Sequence, residues 1–259
     1  MSLNTPIRDW AAQRVWIIGA SSGIGASLAQ ALHRLGARVA LSARRVDALR
    51  AVNPGLPVER QLILPLDITQ PASVCAAEEA LCAAWGGYEL VVVMAGDYVP
   101  MDAWNFARAR ADALLAVNLH GPLNVLAQIL PRLRQQGYGG LALVSSVAGY
   151  CGLPKSLIYG ASKAALINLA ESLYFDLHPR GLAVYLVNPG FVRTPLTAQN
   201  DFAMPALITA DEAAQEIIRG LARGDFELHF PRRFTRLMKL LRLLPYRWFF
   251  PLVMRKTQI

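Results

Sequence analysis

The chain has 259 residues, of which 54% are hydrophobic, and this length and composition favour one large α/β domain over two smaller ones. The net charge of +8 is uneven: residues 231–259 contain eight Arg and Lys and no acid, whereas residues 1–230 contain 18 basic and 18 acidic residues. A membrane-embedded or secreted protein is not expected, since the first ten residues lack a signal-peptide pattern and no apolar run approaches the roughly 18–20 residues that span a bilayer.

The first predicted unit is a buried strand over 15–18, a glycine-rich turn over 19–25, a helix over 26–35 and a second strand over 38–42. In such a unit, glycines let backbone N–H groups approach a pyrophosphate, and the helix N-terminus favours its negative charge. The spacing Gly-x-x-x-Gly-x-Gly differs from the common Gly-x-Gly-x-x-Gly, but its position between strand and helix predicts a dinucleotide site. A plain strand-to-helix turn is the alternative.

The residues after the second strand indicate which nicotinamide cofactor is bound. An NAD site is expected to carry an acidic residue about 20 positions beyond the glycines, where it binds the ribose 2′-hydroxyl. This chain has Ala43 there, followed by Arg44 and Arg45. Because an arginine can pair with a 2′-phosphate, the sequence favours NADP(H). The alternative is a solvated basic start to the next helix.

The next segments are strands over 61–66 and 89–94, separated by a helix over 71–85. The first of these strands ends at Asp67, which is expected either to cap the following helix or to accept a hydrogen bond from an adenine amine. The second is closed by Ala95-Gly96, a pair small enough for its backbone to lie against a cofactor. Ordinary strand termination is the alternative for that pair.

A long helix is predicted over 111–134, with Asn118 inside it and Gly121-Pro122 soon after. Asparagine is a poor residue for a helix interior. The sequence therefore predicts a local distortion with free backbone polar groups and a functional asparagine, with a simple kink as the alternative.

The most informative stretch follows a strand predicted over 141–144, which ends in Ser145-Ser146. A helix predicted over 156–178 then carries Tyr159 and Lys163, which are four residues apart and so share one face. An ammonium beside a phenol favours the phenolate and lowers the tyrosine pKa, which suits proton transfer near neutral pH. The alternative is a pair that only holds the helix to the sheet.

The remaining elements are a strand over 182–187, a loop over 188–194, a helix over 211–223 and a strand over 226–230. The loop follows the carboxyl end of a parallel strand, which is where ligands bind in such sheets. Residues 197–208 mix small and apolar types and are predicted to form a mobile substrate lid. Six or seven strands that alternate with helices imply a Rossmann-like, doubly wound parallel sheet.

In combination these motifs resemble those of a classical short-chain dehydrogenase/reductase over about residues 12–230, the predicted single domain. The resemblance implies that Tyr159 is the acid in reduction and the base in oxidation, and that Lys163 lowers its pKa and binds the nicotinamide ribose. It implies that Ser146 holds the substrate oxygen and that Asn118 anchors a water in a proton relay. The implied cofactor contacts are Gly19, Ser21, Ser22, Gly23, Ile24, Gly25, Arg44, Asp67, Ile68, Ala95, Gly96, Tyr159, Lys163, Pro189, Gly190, Val192 and Thr194, with the Val192 backbone at the carboxamide.

The implied activity is NADP(H)-dependent interconversion of a carbonyl and an alcohol, in a homodimer or homotetramer. Two departures from the family are Ile18 and Met94, where Thr and Asn usually tie neighbouring strands together. Their loss is expected to affect local stability more than chemistry. The alternatives are a non-catalytic nucleotide-binding regulatory or scaffold protein, and an epimerase or dehydratase of an extended type, for which the chain leaves little room.

Residues 231–259 form a basic extension that the predicted domain does not explain. On a helical wheel of 232–244, five basic residues occupy about half of the circumference and apolar residues the other half, with Leu240 and Leu243 on the basic side. Pro245 ends that helix, and an aromatic stretch follows. This pattern over 232–254 is typical of a segment in an anionic membrane interface, which would favour a hydrophobic or lipid-derived substrate. The alternative is packing over the substrate pocket or against a second subunit.

The three cysteines, Cys75, Cys82 and Cys151, show no metal-ligand spacing. Reduced structural thiols, no metal site and a cytoplasmic location are therefore expected, with peripheral membrane contact through the extension. A nucleic-acid partner is not expected, because the body has no basic patch and no recognised nucleic-acid motif.

Overall fold

The structure is a computed structural model that describes residues 2–200 and 202–257. The strands are β1 (Arg14–Ile18), β2 (Arg38–Ser42), β3 (Gln61–Ile63), β4 (Leu90–Val93), β5 (Gly140–Val144), β6 (Ala183–Pro189), β7 (Val192–Arg193), β8 (Ile208–Thr209) and β9 (Glu227–Phe230). The α-helices are α1 (Gly23–Arg34), α2 (Val46–Arg50), α3 (Pro71–Trp85), α4 (Arg108–Leu115), α5 (Gly121–Gln136), α6 (Leu157–Leu177), α7 (Ala210–Arg223), α8 (Arg232–Arg242) and α9 (Tyr246–Thr257).

Seven of these strands form one parallel sheet in the order β3-β2-β1-β4-β5-β6-β9. The chain builds outward from β1 on one side and continues from β4 on the other, so the strand order reverses between β1 and β4. In such sheets ligands bind outside the carboxyl ends of the strands at this reversal. The predicted doubly wound α/β fold is therefore confirmed, and its topology fixes where a site is expected.

Each face of the sheet is covered by its own layer of helices. Side chains of α1 and α7, including Leu28 and Ile217, pack on one face, and side chains of α3, α5 and α6, including Leu81 and Ile129, pack on the other. Between the layers, Trp16 of β1 is fully buried and its indole N–H donates to Ser42 Oγ at the end of β2 over 2.9 Å. This bond ties the middle of β1, the strand before the glycine turn, to the end of β2, the strand before the arginine pair.

The end of the third strand differs from the sequence-based boundary. Strand β3 stops at Ile63 rather than at residue 66. Its extended backbone nevertheless continues, because the N–H groups of Leu64 and Leu66 donate to the carbonyls of Leu41 and Ala43 at 2.9 and 3.1 Å. Asp67 therefore still lies at the carboxyl edge of the sheet.

The predicted distortion around Asn118 is present. A π-helical turn, Ala116–His120, separates α4 from α5, and such turns are frequent at functional sites.

Together, α4, the π-helical turn and α5 form a helical stretch of 29 residues, Arg108–Gln136. Its most apolar 18-residue window has a mean hydropathy of 1.4, so by length and composition alone the stretch could cross a membrane. The expectation that no such run exists was therefore wrong. Its Ile129 and Leu133 are fully buried in the core, which accounts for its apolar character.

Elements after residue 190 depart most from prediction. The short pair of strands β7 and β8 was not predicted, and neither was α9. Of the predicted lid, residues 197–199 form a 3-10 turn, while residue 201 lies outside the described residues. The first helix of the extension ends at Arg242, two residues earlier than predicted, and the aromatic stretch after Pro245 is a second helix.

Helix α8 is anchored to the body by a polar cluster. Lys239 of α8 forms an ion pair with Glu227 of β9. Glu227 Oε1 also accepts hydrogen bonds from Tyr150 Oη at 2.6 Å and from Asn188 Nδ2 at 2.8 Å. Tyr150 follows the strand end that carries Ser146, so this cluster joins the extension to the segment beside the candidate site.

Candidate active site

A cavity of about 490 Å³ opens at the carboxyl edge of the sheet, where the strand order reverses. Every cofactor contact expected from the sequence lines this cavity, from Gly19 to Thr194, and Ser146 lines it as well. Asn118 does not line it, although its neighbour Val117 does. The fold therefore brings together eight segments of the chain, around residues 18–25, 43–45, 66–68, 94–97, 117, 144–146, 159–163 and 189–199, at the place that the topology predicts.

The glycine turn is shaped by contacts that a side chain would prevent. Gly19 has φ +102°, and a Cβ there would lie 2.6 Å from the backbone nitrogen of Ala95. Gly23 has φ +54°, and a Cβ there would lie 2.9 Å from Cγ2 of Thr194. Both backbone angles lie in the left-handed region that favours glycine. The two glycines thus hold the turn directly against the ends of β4 and β7.

The turn also fits the phosphate part of a dinucleotide. Helix α1 begins at Gly23, its first turn contains no acidic residue, and residues 21–25 line the cavity. The free N–H groups of a helix N-terminus and its positive dipole end favour an anion at this place. The residues present therefore suit the pyrophosphate of a nicotinamide cofactor.

Arg44 and Arg45 both lie exposed at the rim of the cavity, next to Ala43. The prediction named Arg44 alone, although the adjacent arginine was visible in the sequence.

Asp67 also lines the cavity. It was expected either to cap α3 or to bind an adenine amine, and it does not cap α3, because the N-cap residue of that helix is Gln70. Its Oδ1 instead accepts from Thr69 N and Thr69 Oγ1 at 3.0 and 2.8 Å. The backbone bond from Thr69 is the largest cause of the lowered pKa of Asp67, and Arg44 adds to it.

Ser146 and Tyr159 meet at the inner wall of the cavity. Ser146 follows β5 and its Oγ accepts from Ala148 N at 3.1 Å, which fixes the side chain at the start of a 3-10 turn. Tyr159 lies in the first turn of α6 and is hydrogen bonded to Ser146. The ring of Tyr98 packs edge-on against the Tyr159 ring at 5.1 Å. No signal in the sequence indicated Tyr98, since the contact depends on how the segment after β4 folds back.

The pKa of Tyr159 differs from expectation. The pKa is raised to about 12, mainly by burial; the hydrogen bond with Ser146 lowers it and Tyr98 adds to the rise. Lys163 was expected to lower it, but the Lys163 ammonium donates to the Val144 carbonyl at 3.0 Å and stands 5.7 Å from the centre of the Tyr159 ring. The expected depression is therefore not found, because desolvation is stronger than the attraction at this distance.

Lys163 is itself buried, and desolvation lowers its pKa to about 8. We expect a consequence for stability. Between about pH 8 and pH 10 the unfolded chain keeps this proton and the folded chain does not, so stability rises with pH over that range. Urea unfolding of the protein and of Lys163→Met, at about pH 7.5 and about pH 9.5, should show the wild type gaining about 1–2 kcal/mol relative to the variant.

The comparison with Lys163→Met removes the contribution of every other group that titrates over the same range. If the free energies of unfolding of the two proteins changed in parallel, the amine of Lys163 would be protonated throughout, and its lowered pKa would be wrong.

Asn118 is fixed by hydrogen bonds rather than directed into the cavity. Its Oδ1 accepts from Asp97 N at 2.7 Å, and its Nδ2 donates to the Asp97 carbonyl at 2.9 Å and to Ser162 Oγ at 3.3 Å. A Cβ on Gly96 would lie 3.5 Å from Asn118 Oδ1 and 3.4 Å from Lys163 Nζ, so the three residues are close neighbours. Asn118 thus joins the end of β4 to α6, beneath the wall that carries Lys163.

The loop after β6 closes the remaining side of the cavity. Pro189, Gly190, Val192 and Thr194 line it, and the 3-10 turn is fastened to it because Thr197 Oγ1 donates to the Val192 carbonyl at 2.6 Å. At the two positions that depart from the family pattern, Ile18 is fully buried and the backbone N–H of Met94 donates to the Ile18 carbonyl at 2.8 Å.

Comparison with known proteins agrees with this arrangement. A family model described as short chain dehydrogenase matches residues 13–204. An uncharacterized oxidoreductase of Myxococcus xanthus is 36% identical over 231 residues, which cover 88% of this chain and 91% of the relative.

Two solved structures extend the comparison. A short-chain dehydrogenase from Sphingobium yanoikuyae in complex with NADPH has a TM-score of 0.76 at 27% identity and covers 90% of this chain and 97% of its own. A 3-ketoacyl-(acyl-carrier-protein) reductase from Brucella melitensis complexed with NADH has a TM-score of 0.76 at 22% identity, covers 89% of this chain and 99% of its own, and shares the fold. With the family match covering most of the residues that line the cavity, the chain belongs to the short-chain dehydrogenase family of oxidoreductases.

Proposed function

We propose that this protein is an NADP(H)-dependent oxidoreductase that interconverts a ketone or aldehyde and the corresponding alcohol. The observation that carries the proposal is that Ser146, Tyr159 and Lys163 stand on the wall of the same cavity that the glycine turn and Arg44 line. A protein that only bound a nucleotide would need the turn and the arginine. It would have no use for a buried phenol, hydroxyl and amine beside them.

Each part of the cavity has a proposed role in holding the cofactor. The backbone N–H groups of residues 19–25 would hold the pyrophosphate, and Arg44 the 2′-phosphate. The Val192 backbone would hold the carboxamide, and Lys163 the nicotinamide ribose. When bound, NADP(H) supplies or accepts the hydride.

The chain itself contributes orientation and a proton. Ser146 would hold the substrate oxygen within reach of Tyr159 Oη, which would donate its proton to that oxygen in reduction and remove it in oxidation. The high pKa of Tyr159 keeps it protonated at neutral pH, which suits the reductive direction. Asn118 would anchor a water in the proton relay, from a position fixed by Asp97 and Ser162.

The surroundings of the loop after β6 favour a hydrophobic or lipid-derived carbonyl. The ring of Phe191 contacts that of Phe202 at 5.8 Å and that of Phe234 at 5.7 Å. These aromatic rings extend from the residues that line the cavity towards α8. A substrate that leaves the cavity on this side would meet apolar surface, because these three rings border the loop.

Assembly and location are proposed on the family resemblance. A homodimer or homotetramer is expected, and the substrate is a small molecule. A cytoplasmic location agrees with three free cysteines, Cys75, Cys82 and Cys151.

Fluorescence titration with NADPH and NADH side by side tests the proposal first. NADPH should bind at least roughly tenfold more tightly, because one charge-assisted pair with a phosphate contributes about 1.5–3 kcal/mol. Equal or preferred binding of NADH would overturn the NADP(H) assignment, and no binding of either would favour the scaffold alternative.

A further inference from the structure

Helix α8 turns only part of its apolar side to the body. Thr235 and Met238 are buried, and Phe234 packs near Gly190. Leu237, Leu240 and Leu243 are instead 54%, 62% and 78% exposed. The wheel placed Leu237 on the apolar half and Leu240 and Leu243 on the basic half, and all three are exposed. Packing on the body does not explain these three leucines.

Helix α9 adds a second row of exposed apolar side chains. Tyr246, Phe250 and Met254 are four residues apart and are 65%, 54% and 52% exposed, so they form one stripe along the helix. Trp248 and Leu252 are exposed on another side, and Phe249 is buried and anchors the helix. We call the exposed apolar side chains from Leu237 to Met254, together with the basic residues of α8 and α9, the tail surface.

The cations of the tail surface are mostly uncompensated. Lys239 pairs with Glu227, and Arg232 lies 3.9 Å from Asp225. Within residues 2–200 and 202–257, Arg233, Arg236 and Arg242 form no ion pair. These arginines are exposed on α8, and Arg233 and Arg236 lie on the same side of the helix as Leu240 and Leu243.

The charge distribution decides what covers this surface. In a symmetric dimer through the tail surface, the same patch would face itself, and the unpaired arginines of each extension would meet with no acidic residue after Glu227 to neutralise them. An anionic bilayer can bind both kinds of side chain. The leucines and aromatic rings insert into its hydrocarbon, and the arginines pair with its headgroups. We propose that the tail surface docks this protein onto an anionic lipid bilayer.

The docking surface lies beside the candidate site. Phe234, in the first turn of α8, contacts Phe191 of the loop that closes the cavity, and Lys239 ties the same helix to the cluster around Glu227. A bilayer-bound enzyme would therefore hold the loop side of its cavity close to the lipid. The docking does not depend on the proposed activity, and its test needs no turnover.

Co-sedimentation of the full-length protein with lipid vesicles tests the proposal. Vesicles of phosphatidylcholine and phosphatidylglycerol in equal parts should carry the protein into the pellet, and vesicles of phosphatidylcholine alone should carry much less. Arg233→Glu/Arg236→Glu should weaken binding to the anionic vesicles by roughly tenfold or more, since each cation near such a surface contributes about 1 kcal/mol. Leu240→Ser/Leu243→Ser should weaken it as well.

Matched controls exist on the body. Arg34 and Arg110 are exposed and form no ion pair in the part of the chain that the structure describes, so Arg34→Glu/Arg110→Glu makes the same charge change elsewhere. Trp104 is 97% exposed on the body, and Trp104→Ala removes an exposed aromatic ring away from the tail surface. Both control variants should bind anionic vesicles as the wild type does.

Three outcomes would overturn the proposal: no binding to anionic vesicles, equal losses in the control variants, or binding that survives both tail variants. The proposal would also be overturned if the wild type did not bind vesicles and the tail variants had a lower mass than the wild type in analytical ultracentrifugation. In that case a second copy of the chain would cover the tail surface. Quenching by brominated lipid gives an independent measurement. Trp248→Phe should lose most of the quenching and keep vesicle binding, whereas quenching that persisted would place Trp248 outside the bilayer.

Discussion

Replacement of Tyr159 by phenylalanine is expected to lower carbonyl reduction by about 10²–10⁴-fold, because the positioned hydroxyl that gives up the proton is removed. The ring of the variant can still pack edge-on against Tyr98. The glycine turn and Arg44 are not touched. We therefore expect NADPH binding, measured by fluorescence titration, to change little while turnover of a hydrophobic ketone is nearly lost.

The matched control is Tyr185→Phe. Tyr185 is also buried and its hydroxyl donates to the Thr5 carbonyl at 3.2 Å, but it does not line the cavity. This variant should keep its turnover even where it loses some stability. Unchanged turnover in Tyr159→Phe would exclude the proposed proton transfer, and equal losses in both variants would point to a general effect of removing a buried hydroxyl.

The sequence predicted the structure correctly where a few adjacent residues allow only one backbone conformation. The glycine turn lies between a strand and a helix, and the parallel topology then fixes the edge of the sheet at which it lies. The distortion at Asn118 was visible because asparagine and Gly121-Pro122 weaken an otherwise regular helix. In both places the chemistry of a few adjacent residues determined the backbone.

Prediction failed where the outcome depends on distant packing. The four-residue spacing correctly places Tyr159 and Lys163 on one face of α6, but it cannot show that the ammonium reaches the Val144 carbonyl or that burial raises the tyrosine pKa. The contact of Tyr98 with Tyr159 has the same origin. In the extension, the wheel identified an amphipathic helix, yet only packing on β9 decided that Met238 is inside and Leu237 outside.

The second large effect concerns cofactor choice. Arg44→Ala should weaken NADPH binding by roughly 10–100-fold, since it removes a charge-assisted pair with the 2′-phosphate, and it should leave NADH binding within about twofold. Side-by-side titrations with both cofactors measure this ratio. Addition of Ala43→Asp should then raise the affinity for NADH, because a carboxylate at the end of β2 can bind the ribose 2′-hydroxyl and repels the phosphate.

Two arginine variants make this test specific. Arg50, on α2, is exposed and does not line the cavity, so Arg50→Ala changes the net charge equally and should leave both affinities unchanged. Arg45 shares the rim with Arg44. If Arg45→Ala lost the NADPH preference and Arg44→Ala kept it, the phosphate contact would belong to Arg45. If neither variant changed the ratio of the two affinities, the basic pair would be only a solvated start to α2, and the preference for NADP(H) would have no basis in this rim.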